Sequence, residues 1–312
     1  MAIAFVRSTV AARGNGKSAT AMAAYRSGSK IKDRVTGKVH DYTKKRGVDH
    51  SVILSPVAAT NQNKWLVDRQ ELWNNVEAVE KRYDAQLTRE IIIAIPIELD
   101  RDDQIKLVRE YVQSSFVDRG MVADINIHHL DGDNPHAHVM LTMRELVINK
   151  QGDVSFGNKN RSWNDKNLYK KQKLEWDKIA NNYLERSGSD RRIDSRSYED
   201  KGINKIPQVH LGAKVCALMA NGIATEHGDL YNQIAIANDR LSQYELAVNA
   251  AEQKLFDYQQ QHAIMDFSDQ EIISDDLDNE INLSCQAISF SNDDIVINFG
   301  DNSLDLEQQY SR

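Results

Sequence analysis

Residues 122–143 constrain this chain more than any other stretch. Two strand-like runs, Val122–Leu130 and His136–Met143, flank Asp131-Gly-Asp-Asn-Pro135, a string of turn formers. So short a connection makes the two runs antiparallel neighbours. Residues two apart in a strand share a face, so Asn126 and His128 share one while Ile125, Ile127 and His129 share the other. His136 and His138 likewise point the same way. Closing the turn sets His128 beside them, giving three imidazoles on one sheet face, a nitrogen donor set that leaves metal positions open for substrate. Parity and spacing select His128 over the adjacent His129.

The flanking segments suggest a sheet covered by helices. Residues 2–10 alternate like a first strand and end at the turn Arg13-Gly-Asn-Gly16, after which Ser18 caps a helix running to Tyr25. Helical spacing is expected from Asn63 to Asp84 and from Asp102 to Gly120, and a basic helix from Lys166 to Ser187. Thr88–Pro96 reads as a strand, and Val39–Pro56 as irregular or short strand. This order predicts an α+β fold, an antiparallel sheet flanked by helices. Residues 1–210 form its domain.

Charge separates that domain from the rest of the chain. Residues 211–312 hold four Lys+Arg against 18 Asp+Glu, so the chain's net −7 divides into +7 over residues 1–210 and −14 beyond. The basic part suits a polyanion. Residues 211–262 read as a helical extension. Within it Leu230, Ile234, Ala237, Leu241, Tyr244, Val248, Ala251, Leu255 and Tyr258 form a heptad seam, which needs its own domain or a second copy as partner. Residues 263–312 read as an acidic, largely disordered tail. No apolar run is long enough for a membrane span, and Cys216 and Cys285 match no redox or metal spacing, so a cytoplasmic protein is expected. Gly14-Asn-Gly-Lys-Ser18 lacks the first glycine of a P-loop.

Several blocks resemble one known family. His128-x5-Asn134-Pro-His-Ala-His138, with an apolar strand running on to Arg144, is similar to the metal-binding motif of the MobA/MobL relaxases, the Q-class mobilisation enzymes. Ser18-Ala-Thr-Ala-Met-Ala-Ala-Tyr25-Arg-Ser-Gly28 resembles their nucleophile motif, and Arg89-Glu90-Ile-Ile-Ile-Ala-Ile-Pro-Ile-Glu-Leu99 their central strand. Arg192-Ile-Asp-Ser-Arg-Ser-Tyr198 and His210-Leu-Gly212 resemble segments that close the relaxase region. Together the blocks span residues 1–230.

The resemblance implies an HUH relaxase fold and its reaction. Tyr25 would attack one phosphodiester, leaving a 5′-phosphotyrosine and a free 3′-OH. An ordinary phenol is ionised only about one part in a thousand at pH 7, so it needs help from a base or a cation. A divalent metal on His128, His136 and His138 would hold the phosphate. The family suggests Mg²⁺ or Mn²⁺, while imidazole ligands also suit Ni²⁺ or Zn²⁺. Glu90, a carboxylate in an apolar strand, would orient a ligand histidine or take the Tyr25 proton. Ala21, Ala23 and Ala24 would let a DNA backbone come close. The implied partners are DNA at an origin of transfer, both single-stranded and hairpin, with accessory or coupling proteins and a homodimer through 230–258 as further expectations.

Phosphate contacts are expected from Arg26, Arg144, Lys170 and Lys171, and from Lys30, Lys32, Arg34, Lys44, Lys45, Arg46, Arg161, Lys166 and Lys173. Trp163, Tyr169 and Trp176 are candidates for base stacking. Three alternatives stay open: a rolling-circle initiator or transposase of the same chemistry, a non-catalytic DNA-binding protein, and a metallohydrolase. The first usually places its histidines before the tyrosine, the reverse of the order found here.

Overall fold

The computed structural model describes residues 5–57 and 63–262, in two units that meet in sequence at Arg196/Ser197. The tail expected beyond 262 lies outside the described residues. In the first unit, β1 (Val6–Ala12) leads to α1 (Ala19–Ser27), a small hairpin of β2 (Lys30–Lys32) and β3 (Val39–Asp41), β4 (Val48–Leu54) and α2 (Arg69–Val79). β5 (Gln86–Ala94), α3 (Arg101–Ser115), β6 (Ala123–His128), β7 (His136–Leu141), a second hairpin of β8 (Arg144–Ile148) and β9 (Val154–Lys159), and α4 (Lys166–Arg186) complete it. The fold is α+β, as expected. Its main sheet is antiparallel throughout, in the order β1-β5-β7-β6-β4.

Both faces of the sheet are covered. Ile91, Ile93, Ile125, Ile127, Ala137 and Val139 face Val108, Tyr111, Val112 and Phe116 of α3 and Trp176, Ala180 and Leu184 of α4. Tyr111 stacks edge-on against Trp176 and Phe116, at 5.1 and 5.6 Å between ring centroids. On the other face Leu87, Val122 and Met140 meet Ala19, Ala23 and Ala24 of α1 and Leu72, Trp73 and Val76 of α2. Each large side chain fully buried here contributes about 1.5–3 kcal/mol. Ala23 and Ala24 are fully buried, which corrects the idea that they admit DNA: their small size lets α1 lie close on the sheet.

Helix starts follow side-chain caps. Ser18, Asp68 and Asp100 each accept the backbone N–H three residues on, and Asp165 accepts that of Asn167. The Asp68 cap explains why the helix expected from Asn63 begins only at Arg69, after a short 3-10 turn at Lys64–Leu66. Val39–Pro56, read as irregular or short strand, contains the seven-residue β4 at the edge of the sheet. The first unit closes earlier than position 210. Ile193 is its last buried apolar residue, and Ser195 donates through backbone N–H and hydroxyl to the Asp177 carboxylate at 2.6 and 2.7 Å.

The second unit contains α5 (Gly212–Ala220) and α6 (Glu226–His262). Asn238 of α6 both donates to and accepts from the backbone of Ile206. Of the heptad seam, Ile234 is buried while Tyr244, Val248, Leu255 and Tyr258 are exposed. No described helix is long and apolar enough to cross a membrane.

Candidate metal centre and nucleophile

β6 and β7 pair with His128 opposite His136 and Asn126 opposite His138. The three imidazoles therefore stand together on the face covered by α1, with centroids 5.0–5.3 Å apart. One nitrogen from each lies within 4.8 Å of the others. His129 takes no part. Its backbone turns left-handed at φ 56°, and its ring lies against Gly47, where a Cβ would come within 2.4 Å of Cε1. Gly47 is itself left-handed at φ 81°, so the position calls for glycine twice over.

Each histidine is oriented by an oxygen that can only accept. His128 Nε2 donates to the Arg26 carbonyl at 2.6 Å, His136 Nδ1 to the Asn134 carbonyl at 2.8 Å, and His138 Nδ1 to Glu90 Oε1 at 2.8 Å. These bonds fix one N–H per ring and leave the other nitrogen a free lone pair, the state a metal ligand requires. Burial pushes the His128 imidazole down to about 4 and lowers His136 and His138 as well, so all three are neutral at pH 7. The donor set fits a divalent metal with imidazole ligands. Burial pushes the Glu90 carboxyl up, but hydrogen bonds from His138 and Arg26 outweigh it and hold Glu90 below the ordinary value.

Tyr25 sits in the last turn of α1, beside this cluster. Arg26 joins the two through opposite ends. Its carbonyl receives His128, and its guanidinium donates to Glu90 Oε1 and Oε2 at 2.6 and 3.1 Å. Tyr25 is 44% exposed, its hydroxyl free of hydrogen-bond partners among the described residues. Its ring meets Tyr42 edge-on at 5.2 Å and has Lys45 Nζ 4.1 Å from its centroid. Lys45 borders a cavity of about 370 Å³ lined by Ser27, Gly28, Val48, Asp49, His50 and Ser51.

Other expected contacts lie elsewhere. Arg144 is held by Glu80 at 2.7 Å and by the Gly157 carbonyl at 2.8 Å, with Lys159 on the same carboxylate at 3.0 Å. Its guanidinium pins the β8–β9 hairpin to the end of α2 instead of facing the histidines. Lys170 and Lys171 are exposed, on the helix that covers the opposite sheet face. The stacking assignment is corrected: Trp163 and Trp176 are buried in the core, and Tyr169 donates to the Val6 carbonyl at 2.9 Å. Helix α4 needs an apolar face to cover the sheet, and Trp176 lies on it with Ile179, Ala180, Tyr183 and Leu184, while Trp163, in the turn before the helix, joins the same core.

Asp124 was not anticipated. It lies on the histidine face of β6, fully buried. It accepts Arg69 on both oxygens at 2.8 Å, Trp73 Nε1 at 2.9 Å and Asn126 Nδ2 at 3.0 Å, and Asn126 in turn accepts Ser51 Oγ at 2.6 Å. A lone Asp at an alternating position of an apolar strand was the available signal. This network fixes the floor next to His138.

Residues 17–221 match the MobA/MobL family. The chain belongs to the MobA/MobL family. The matched stretch contains Tyr25, Glu90 and the three histidines. This MobA/MobL chain is 36% identical over 246 residues to the conjugal transfer protein TraA of Rhizobium radiobacter, covering 70% of the chain but 22% of that protein. It is 35% identical over 245 residues to the mobilization protein MobL of Acidithiobacillus ferridurans, covering 68% and 62%. The chain thus spans about a fifth of the TraA relative and under two thirds of MobL. A solved structure from work on vancomycin resistance transfer in Staphylococcus aureus shares 35% identity and a TM-score of 0.56, covering 62% of this chain and 98% of that one.

Proposed function

We propose that this MobA/MobL chain is the nicking part of a conjugative relaxase, with Tyr25 as nucleophile and His128, His136 and His138 as holders of a divalent metal. The observation that carries the reading is the position of Arg26. One residue after Tyr25, it is bonded to one histidine directly and to another through Glu90. The tyrosine backbone and the metal centre are thereby locked into one geometry. The names of the relatives, a conjugal transfer protein and a mobilization protein, support the same reading.

In the proposed reaction the Tyr25 oxygen attacks a phosphorus of a DNA strand at an origin of transfer. The new O–P bond forms as the P–O3′ bond breaks. The phenolic proton leaves to solvent and the departing O3′ takes one up. One phosphodiester replaces another, so the strand can be rejoined without a nucleotide cofactor. His128, His136 and His138 would hold a divalent ion, which would supply Lewis-acid charge to the phosphate, with Mg²⁺ or Mn²⁺ the first ions to try and Ni²⁺ or Zn²⁺ next. Glu90 serves as the orienter of His138 and not as the base, because Arg26 and His138 occupy its oxygens. Lys30 and Lys32 on β2 and Lys44 and Arg46 in the loop between β3 and β4 are exposed, on elements that border α1, and would suit the phosphates of a bound strand.

The test is cleavage of single-stranded DNA from the origin region of the element that carries this gene. A 3′-labelled strand should end up attached to the protein in Mn²⁺, not in EDTA, and not with Tyr25→Phe. Cleavage without attachment would make the chain a metallohydrolase.

A further inference from the structure

Three basic residues stand in a row at 44–46, and only Lys45 turns inward. Lys44 and Arg46 are exposed, while Lys45 is half-buried. Its backbone N–H donates to the Tyr42 carbonyl at 2.9 Å, which shapes the loop between β3 and β4. Its ammonium donates to the Tyr25 carbonyl at 2.9 Å and lies over the Tyr25 ring. The Tyr25 carbonyl belongs to the last turn of α1, where carbonyls lack an intrahelical partner and the helix dipole is negative. Among the described residues no carboxylate pairs with Lys45. Arg26 also lies near the ring, 5.3 Å from its centroid, but its charge is matched by Glu90. Lys45 is therefore the uncompensated cation at this tyrosine. Burial, and then the Arg26 charge, pull its ammonium below the ordinary lysine value, a cost that a merely solvated lysine would not carry.

We infer that Lys45 is a positioning residue for the nucleophile: it holds the backbone of Tyr25 and fixes a positive charge against the ring face where negative charge develops during attack. This role rests on Tyr25 being the nucleophile. A cation is drawn to the face of a neutral phenol, and more strongly as the phenol loses its proton and the ring grows electron-rich. The attraction is greatest before the oxygen is esterified to phosphorus. It therefore favours the transition state over both the resting tyrosine and the phosphotyrosine, the condition for raising the rate of the chemical step.

The experiment compares wild type, Lys45→Met and Lys45→Arg as full chains. Single-turnover attachment to 3′-labelled DNA is measured against DNA concentration. Lys45→Met should lower the rate at saturating DNA about 10- to 100-fold with the half-saturating concentration within about 3-fold, and Lys45→Arg should restore most of the rate. An unchanged saturating rate, or a loss confined to half-saturation and its salt dependence, would make Lys45 an ordinary phosphate contact and overturn the proposal. A second readout needs no DNA. In protein labelled at tyrosine Cζ, the Tyr25 resonance, assigned by its loss in Tyr25→Phe, should move in Lys45→Met while the tyrosines other than Tyr25 and its stacking neighbour Tyr42 stay. An unmoved resonance also overturns the proposal. If wild type forms no adduct at all, the relaxase reading is what fails, and the resonance alone then decides whether Lys45 holds the ring.

Discussion

Arg26 grips Glu90 with two parallel hydrogen bonds, Nε to Oε1 at 2.6 Å and Nη2 to Oε2 at 3.1 Å, and so ties α1 to the middle of β5. Oε1 also receives His138. One buried carboxylate thus serves a helix and a proposed metal ligand together. Breaking it should loosen the candidate metal centre before it loosens the fold.

Glu90→Gln keeps the shape but loses the charge that orients His138 and pairs with Arg26. Mn²⁺ affinity should fall about 10- to 100-fold, as measured by calorimetry. An unchanged affinity would show that Glu90 holds only α1.

The histidines should separate cleanly in the same titration. His136→Ala should remove most of the Mn²⁺ binding, while His129→Ala should leave it within about 2-fold, because three nitrogen ligands are needed and His129 faces Gly47. Loss of binding in His129→Ala would require a different ligand set.

Asp124→Ala strands a half-buried arginine, an indole N–H and the Asn126 amide. The expected loss is about 3–5 kcal/mol in urea unfolding, the range for removing one partner of a buried ion pair. Arg69 is only 20% exposed, so solvent does little to compensate. Lys170→Ala and Lys171→Ala, both on the surface, should change stability by less than about 0.5 kcal/mol.

Asp33 supplies a pH dependence. Burial pushes its carboxyl up, but hydrogen bonds from Thr20, Thr36 and Val35 outweigh this and hold it below the ordinary 3.8. A depressed carboxylate stabilises the fold above its unfolded value, and that contribution disappears as pH falls through the folded one. The stability difference between wild type and Asp33→Asn should therefore be steady above about pH 5 and shrink below about pH 4. A difference constant down to about pH 2 would mean that the charge of Asp33 contributes nothing.

The sequence by itself determined the histidine hairpin, because strand parity is strict: a period of two leaves His128 no choice of face once the turn closes on His136 and His138. It also determined the helix start at Ser18, where a short polar side chain stands ready to take an orphan N–H, and it marked Glu90 as a carboxylate out of place. What surrounds those residues was settled by tertiary structure. Whether a tryptophan at 176 stacks on a base or fills a core depends on which face of α4 meets the sheet, and amphipathic spacing names a face without naming its partner. Whether Arg144 or Lys45 approaches the histidines or Tyr25 depends on Glu80 and on the last turn of α1, and such pairs have no local signature. Periodicity is a property of neighbours along the backbone. The pairing of Asp124 with Arg69, and of Lys45 with Tyr25, exists only after the sheet and helices have packed.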